Sequence, residues 1–186
     1  MRVLGIDPGS RTTGWGVVER VARKNTLVAS GVIRTNPDHE MPARLHIIHA
    51  GLLAVIAQFL PDVVAMEEIF AHRSSTSALV LGQARGVALL AAHTLPVATY
   101  NNQTVKKNVT GSGKADKDQV ARVVGLMLAK TGAVPADESD ALAIALTHLA
   151  HSNALGVMTI PKAPRQRRMS SRDQWTAIAA AAQARR

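Results

Sequence analysis

Five carboxylates in this chain have types and spacings that can do chemistry. Asp7 closes the apolar run "RVLGI" at an Asp-Pro-Gly turn, and Glu67 and Glu68 close a second run, "VVAMEEIF". Asp137 and Asp140 open the pattern "ADESDALAIALTH", three residues apart. Proline pushes the residue before it toward extended backbone, so Asp7 reads as the last residue of a strand. Adjacent strand residues point to opposite faces of a sheet, so Glu67 and Glu68 cannot easily share one site, and alternation alone does not choose between them. Asp137 and Asp140 fall on one face of a helix. If the first and fourth strands are neighbours, their ends meet, and a helix across that edge adds its first turn. Four acids then converge on one cleft.

Convergence has an electrostatic cost. Two carboxylates about 4 Å apart repel by roughly 4 kcal/mol at an effective dielectric near 20. Protons or cations must offset it. An all-oxygen ligand set suits Mg²⁺ or Mn²⁺, and two such ions about 3.5–4 Å apart support in-line phosphodiester hydrolysis. Taken singly, each acid has a plainer use. Asp7 suits a turn, and Asp137 and Asp140 suit the cap and dipole of a helix start. The argument for a site rests on their coincidence.

The elements that must position these acids can be read from periodicity. Residues 2–6, "TGWGVVER" (13–20) and "TLVASGVIRT" (26–35) read as three strands joined by short links, an antiparallel meander. Leu45, Ile48, Leu52, Leu53, Ile56, Phe59 and Leu60 recur at helical spacing across 41–60. A fourth strand ends at the glutamates. A helix follows over 74–93, then a fifth strand at 95–100. The stretch 101–119 holds a short helix and a glycine loop, and two further helices span 117–130 and 136–151. The order β-β-β-α-β-α-β-α-α predicts an α/β fold, a five-stranded mixed sheet with helices on both faces.

Composition sets the limits. Hydrophobic residues make up 47% of the 186 and aromatics 3%, so the core must be aliphatic. There is no cysteine, which excludes disulfides and thiolate metal sites. No uninterrupted apolar run reaches the roughly 20 residues of a membrane span, and "MRVLGIDPGS" lacks the long apolar segment of a signal peptide. A cytoplasmic protein without a membrane partner is expected. The net charge of +9 is uneven: residues 162–186 carry seven Lys/Arg against one acid, Asp173. Such a tail, entered through Pro161 and Pro164, suits a polyanion partner or a solvated, flexible end. The domain boundary is expected near residue 155, with 156–186 as the basic tail. An alanine-rich stretch at 173–184 has helical propensity of its own.

The segments "LGIDPGSRTTGWGVV" (4–18), "AMEEIF" (65–70), "SALVLGQARGVAL" (77–89), "KADKDQV" (114–120) and "ADESDALAIALTH" (136–148) together resemble the RuvC family of bacterial Holliday-junction resolvases. The resemblance runs in order over residues 1 to about 150. It implies a ribonuclease H-like fold and a homodimer that nicks two opposing strands of four-way junction DNA, leaving 5′-phosphate and 3′-hydroxyl ends. A twofold-symmetric junction calls for two equivalent sites. It implies Asp7, Glu67, Asp137 and Asp140 as catalytic ligands of two Mg²⁺ ions, with Mn²⁺ as a substitute, and thereby selects Glu67 over Glu68. It matches Phe70 to an aromatic that stacks on a base, a contact worth about 1–3 kcal/mol. Lys106 and Lys117 match basic residues near the scissile phosphate, and Arg73 and Arg85 are candidates for backbone contacts. Gly82 and Gly86 would let a second helix approach, placing a dimer contact at this helix and the last one. The branch-migration proteins RuvA and RuvB are the implied protein partners. The tail beyond about 155 departs from the family pattern; it would add phosphate contacts or dock on those partners.

Two other classes compete. "GIDPGSRTTGWGVV" also reads as the first phosphate loop of an actin-like phosphotransferase, but that fold needs two lobes and a second loop, and the chain is too short. A junction binder without cleavage would have lost its acids, and all four are present.

Overall fold

The computed structural model describes residues 1–68, 75–130 and 134–154, which form one unit within Met1–Ala154. Five strands, β1 (Arg2–Asp7), β2 (Thr12–Val21), β3 (Lys24–Arg34), β4 (Val63–Glu67) and β5 (Val97–Tyr100), make a sheet of order β3-β2-β1-β4-β5. β1 pairs antiparallel with β2 and parallel with β4; β2 pairs antiparallel with β3, and β4 parallel with β5. Only β2 runs against the rest. This is the mixed five-stranded sheet that the order of elements predicts and the ribonuclease H-like arrangement that the resemblance implies.

The central strands are apolar on both faces because both are covered. Leu4 and Ile6 of β1, with Val64 and Met66 of β4, pack under α1 (Met41–Phe59) and α2 (Ser75–Ala91). Val3 of β1, with Val63 and Ala65 of β4, packs under α3 (Asn102–Thr110), α4 (Lys117–Met127) and α5 (Ala136–Ala154). By length and composition, though not by an uninterrupted apolar run, α1 is a helix that could cross a membrane. Its buried residues, Ile48, Leu52 and Val55, join the core on this side of the sheet.

Boundaries move where turn chemistry is unusual. The polar link at 21–25 tightens to Ala22 and Arg23, both at positive φ, and the flanking strands lengthen into it. α4 ends at Met127, earlier than its pattern, and the Lys130 N–H returns to the Gly125 carbonyl. α3 starts under an Asn101 cap and stops at left-handed Gly111, and α4 starts with a reciprocal Asp116–Gln119 capping box.

α5 is buried almost all round: every residue from Ala141 to Thr147 is at most 2% exposed. It lies so close to the sheet that only glycine fits beneath it. A Cβ on Gly5 would fall 2.0 Å from the Ala141 carbonyl oxygen, and one on Gly14 would fall 2.0 Å from that of Asp137. Gly14→Ala is therefore expected to push the first turn of α5 off β2, at a cost of about 2 kcal/mol or more. Chemical denaturation measures this, and an unchanged midpoint would show that the helix can ride higher. The middle of this last helix, expected with α2 to carry a dimer contact, is buried within the chain, whereas His148, Ala150, His151 and Ser152 nearer its end are partly or fully exposed.

Candidate active site

Pairing sets the site. Ile6 is in register with Met66 across the parallel β1–β4 pair, so the next residues, Asp7 and Glu67, end neighbouring strands side by side. Alternation puts Asp7 on the face of Val3 and Gly5, and Glu67 on the face of Val63 and Ala65. Both are on the α5 side. Glu68, one residue on, is exposed, and its N–H bonds to the Tyr100 carbonyl.

A cleft of about 170 Å³ opens there, lined by Asp7, Glu67, Asn102, Lys106, Lys117 and Asp140 over a floor of Val105, Val120, Ala143 and Ile144. A wider groove of about 520 Å³ lies beside Arg122 and Leu126 of α4 and Val134 beyond it, but among the described residues Asp118 is the sole carboxylate on its walls. The chemistry belongs to the smaller one. Asn102 donates from Nδ2 to Glu67 Oε1 at 2.8 Å and fixes that carboxylate. Lys117 Nζ bonds Asp140 Oδ2 at 3.0 Å. This bond, with the charge of Asp140, raises the Lys117 pKa, so the ammonium stays charged. Arg85 donates to the Glu67 main-chain carbonyl, which commits its guanidinium to holding the end of β4.

Asp7 carries the strain of this arrangement. Burial, and then the charges of Asp140, Glu67 and Asp137, push its pKa up to about 7 against the opposing pull of Lys117. Asp137 thus acts on Asp7 electrostatically although it does not line the cleft. Phe70 and Arg73 lie outside the described residues, as do residues 156–186. Sequence reasoning missed Asn102; the doubled asparagine "NN" straight after β5 was its one visible trace, and Asn101 takes the cap while Asn102 takes the glutamate.

The donors fit a hard divalent cation. They are all carboxylate oxygens, and Asp7, whose pKa is raised first by burial and then by the charges of Asp140, Glu67 and Asp137, stands among like charges that a cation would offset. Among the described residues no three carboxylate or imidazole groups close round a single point as they stand. Asp140 is bonded to Lys117. Asp7, Glu67 and Asp140, with Asp137 beside them, are the groups that could hold such ions.

A family model for "Crossover junction endodeoxyribonuclease RuvC" matches residues 3–148. The RuvC of Citrobacter koseri is 49% identical over 148 residues, covering 78% of this chain and 85% of that protein. The RuvC of Actinobacillus pleuropneumoniae serotype 5b is 51% identical over 152 residues, covering 81% and 78%. The structure of Thermus thermophilus RuvC in complex with a Holliday junction substrate superposes with a TM-score of 0.77 at 39% identity, covering 83% of this chain and 96% of that one. A sheet that sets two acids side by side, a glycine-cushioned helix that brings more, and relatives at half identity over most of their length converge on one conclusion: the chain belongs to the RuvC family of crossover junction endodeoxyribonucleases.

Proposed function

We propose that this chain resolves four-way DNA junctions by metal-dependent hydrolysis of one phosphodiester in each of two opposing strands. The observation that carries the chemistry is the pairing of Asp7 and Glu67 at adjacent strand ends, facing Asp140 from α5. Asp7, Glu67, Asp137 and Asp140 would hold two Mg²⁺ ions, for which Mn²⁺ would substitute. The ions supply Lewis-acid activation of water and neutralise charge on the phosphate. The chain's own groups do the rest. Asn102 keeps Glu67 in one orientation, and Lys117 both restrains Asp140 and presents a permanent positive charge to the backbone. Lys106, on the cleft wall, contacts a neighbouring phosphate. Phe70 stacks on a base at the crossover and Arg73 binds backbone. Cleavage leaves 5′-phosphate and 3′-hydroxyl ends, in recombination and repair in the cytoplasm.

Two cuts need two sites, and a homodimer supplies them. Leu79 is 66% exposed and Leu90 59% exposed on α2, and a Cβ added at Gly82 or Gly86, between them, would meet nothing within 4 Å. This face of α2 is where a second copy docks. The branch-migration proteins RuvA and RuvB are the protein partners, and the basic tail adds phosphate contacts whose strength falls with salt.

The test is incubation with a synthetic four-way junction labelled on each strand in turn, with and without Mg²⁺ or Mn²⁺. Paired symmetric nicks that require the ion, from a protein whose mass by light scattering is twice the 19.7 kDa chain, are expected. Absence of cleavage with every divalent ion would overturn the enzymatic reading, and a monomeric mass would overturn the α2 dimer.

A further inference from the structure

The first turn of α5 carries a third acid between the two in the site. Helical geometry turns each residue about 100° from the last, so Glu138 leaves α5 on a different side from Asp137 and Asp140. It reaches away from the cleft, toward β3. There its Oε2 accepts from Ser30 Oγ at 2.6 Å and from Lys130 Nζ at 2.9 Å, while Lys130 Nζ also reaches Ser30 Oγ at 3.2 Å. The three groups close a triangle that ties the start of α5 to an edge strand and to the segment just after α4. It is mostly enclosed: the Lys130 side chain is 23% exposed and that of Glu138 14%.

An ion pair this enclosed adds little net stability, because desolvating two charges offsets most of their attraction. What it does supply is a fixed geometry. The glycine cushion sets how high α5 rides: Gly14 meets Asp137 and Gly5 meets Ala141. The body of α5 from Ala141 to Thr147 is locked by its own burial, but Asp137, Glu138 and Asp140 of the first turn are only partly buried, and the orientation of that turn decides how Asp137 and Asp140 face Asp7. On the cleft side, among the described residues, Asp140 is held by Lys117, an exposed lysine whose side chain is 72% accessible. The firm attachment is the one on the other flank.

We infer that Ser30, Glu138 and Lys130 form a positioning device that holds the first turn of α5 in one orientation and so aims Asp137 and Asp140 at the ion site. Glu138 is a positioning residue here and touches no reacting atom. The inference rests on Asp137 and Asp140 being working carboxylates, as proposed above.

The decisive variant replaces the charged pair by apolar groups of similar length, Lys130→Met with Glu138→Leu, and Ser30→Ala is the milder companion. The full-length protein is titrated with Mn²⁺ by electron paramagnetic resonance, and single-turnover cleavage of a four-way junction is measured at saturating Mn²⁺ and protein. The double variant should melt close to the wild type, since the buried pair contributes little. Its Mn²⁺ midpoint should rise by about tenfold and its single-turnover rate fall by a similar factor, with junction affinity in metal-free buffer unchanged. Ser30→Ala should raise the midpoint by about threefold. If the double variant does not fold, Ser30→Ala decides alone: a raised midpoint supports the inference and an unchanged one overturns it. A folded double variant with the wild-type Mn²⁺ midpoint overturns it as well. A wild type that neither binds Mn²⁺ nor cleaves would instead sink the proposed function, an outcome distinct from wild-type binding that the variants leave untouched.

Discussion

Asp7→Asn should abolish junction cleavage and, without divalent ions, make the protein more stable than the wild type. The first half follows from position. Asp7 stands beside Glu67 and faces Asp140, so it can serve as the shared ligand of the site. Removing its charge should lower the single-turnover rate by about a thousandfold while leaving junction binding within a few-fold. The second half follows from electrostatics. A carboxylate with a pKa of about 7 in the folded chain and 3.8 as a free side chain binds its proton more tightly when folded. Folding stability from this group is therefore complete below about pH 4, falls as pH rises to about 7, and is flat above. Each pH unit of difference corresponds to about 1.4 kcal/mol. Asp7 is not sealed from solvent, so about 2 kcal/mol is a fair figure for the cost at pH 8 after screening. Asparagine escapes that cost. In EDTA at pH 8 the variant should melt about 5 °C above the wild type, and the gap should vanish near pH 4. Millimolar Mg²⁺ should narrow it from the other side by binding only the folded wild-type site. A variant that melts lower than the wild type in EDTA would mean that Asp7 is a turn residue holding β1 to β2.

The order of strands and helices was open to reading because periodicity and turn residues agreed along most of the chain. They parted at particular places for physical reasons. Link 21–25 offers no Asn-Gly, so nothing marked a two-residue turn; Ala22 and Arg23 take left-handed backbone without the usual residues for it. The end of α4 carries no glycine or proline stop, and its apolar pattern runs on past the last helical turn. α5 reads as a helix at once, but not how deep it lies, because depth depends on Gly5 and Gly14 in strands more than a hundred residues earlier. Strand ends and helix spacing bring Asp7, Asp137, Asp140 and one of two glutamates together, and only the resemblance to a family chooses Glu67 over Glu68. Glu138 sits between two acids at a helix start, and its partners, Ser30 of β3 and Lys130 after α4, come from distant parts of the chain. Contacts of that kind leave no trace in local spacing.

The glutamate pair marks the sharpest limit of sequence reading and gives the second large effect. Alternation sorts residues by face, yet it labels a face only when one side is polar. Ala65 and Met66 are both fully buried, on opposite sides of β4, so neither side of that strand looks like solvent. What separates the glutamates is company. Glu67 shares its face with Ala65 and points into the cleft, where Asn102 holds it at 2.8 Å. Glu68 faces out and is exposed, and it contributes its main-chain N–H to the β5 end. Glu67→Gln keeps the shape and can still accept from Asn102 but loses the charge, so cleavage should fall by about a thousandfold with the fold intact. Glu68→Gln leaves the backbone bond in place and should stay within about threefold of the wild type, as exposed substitutions away from a site usually do. Asn102→Ala should fall between them, with the loss recovered in part at high Mn²⁺, because it frees a carboxylate without removing it. Single-turnover rates for the three variants on one labelled junction make the comparison. An inactive Glu68→Gln beside an active Glu67→Gln would shift β4 by one residue, turn the whole strand over, and take the ligand set with it.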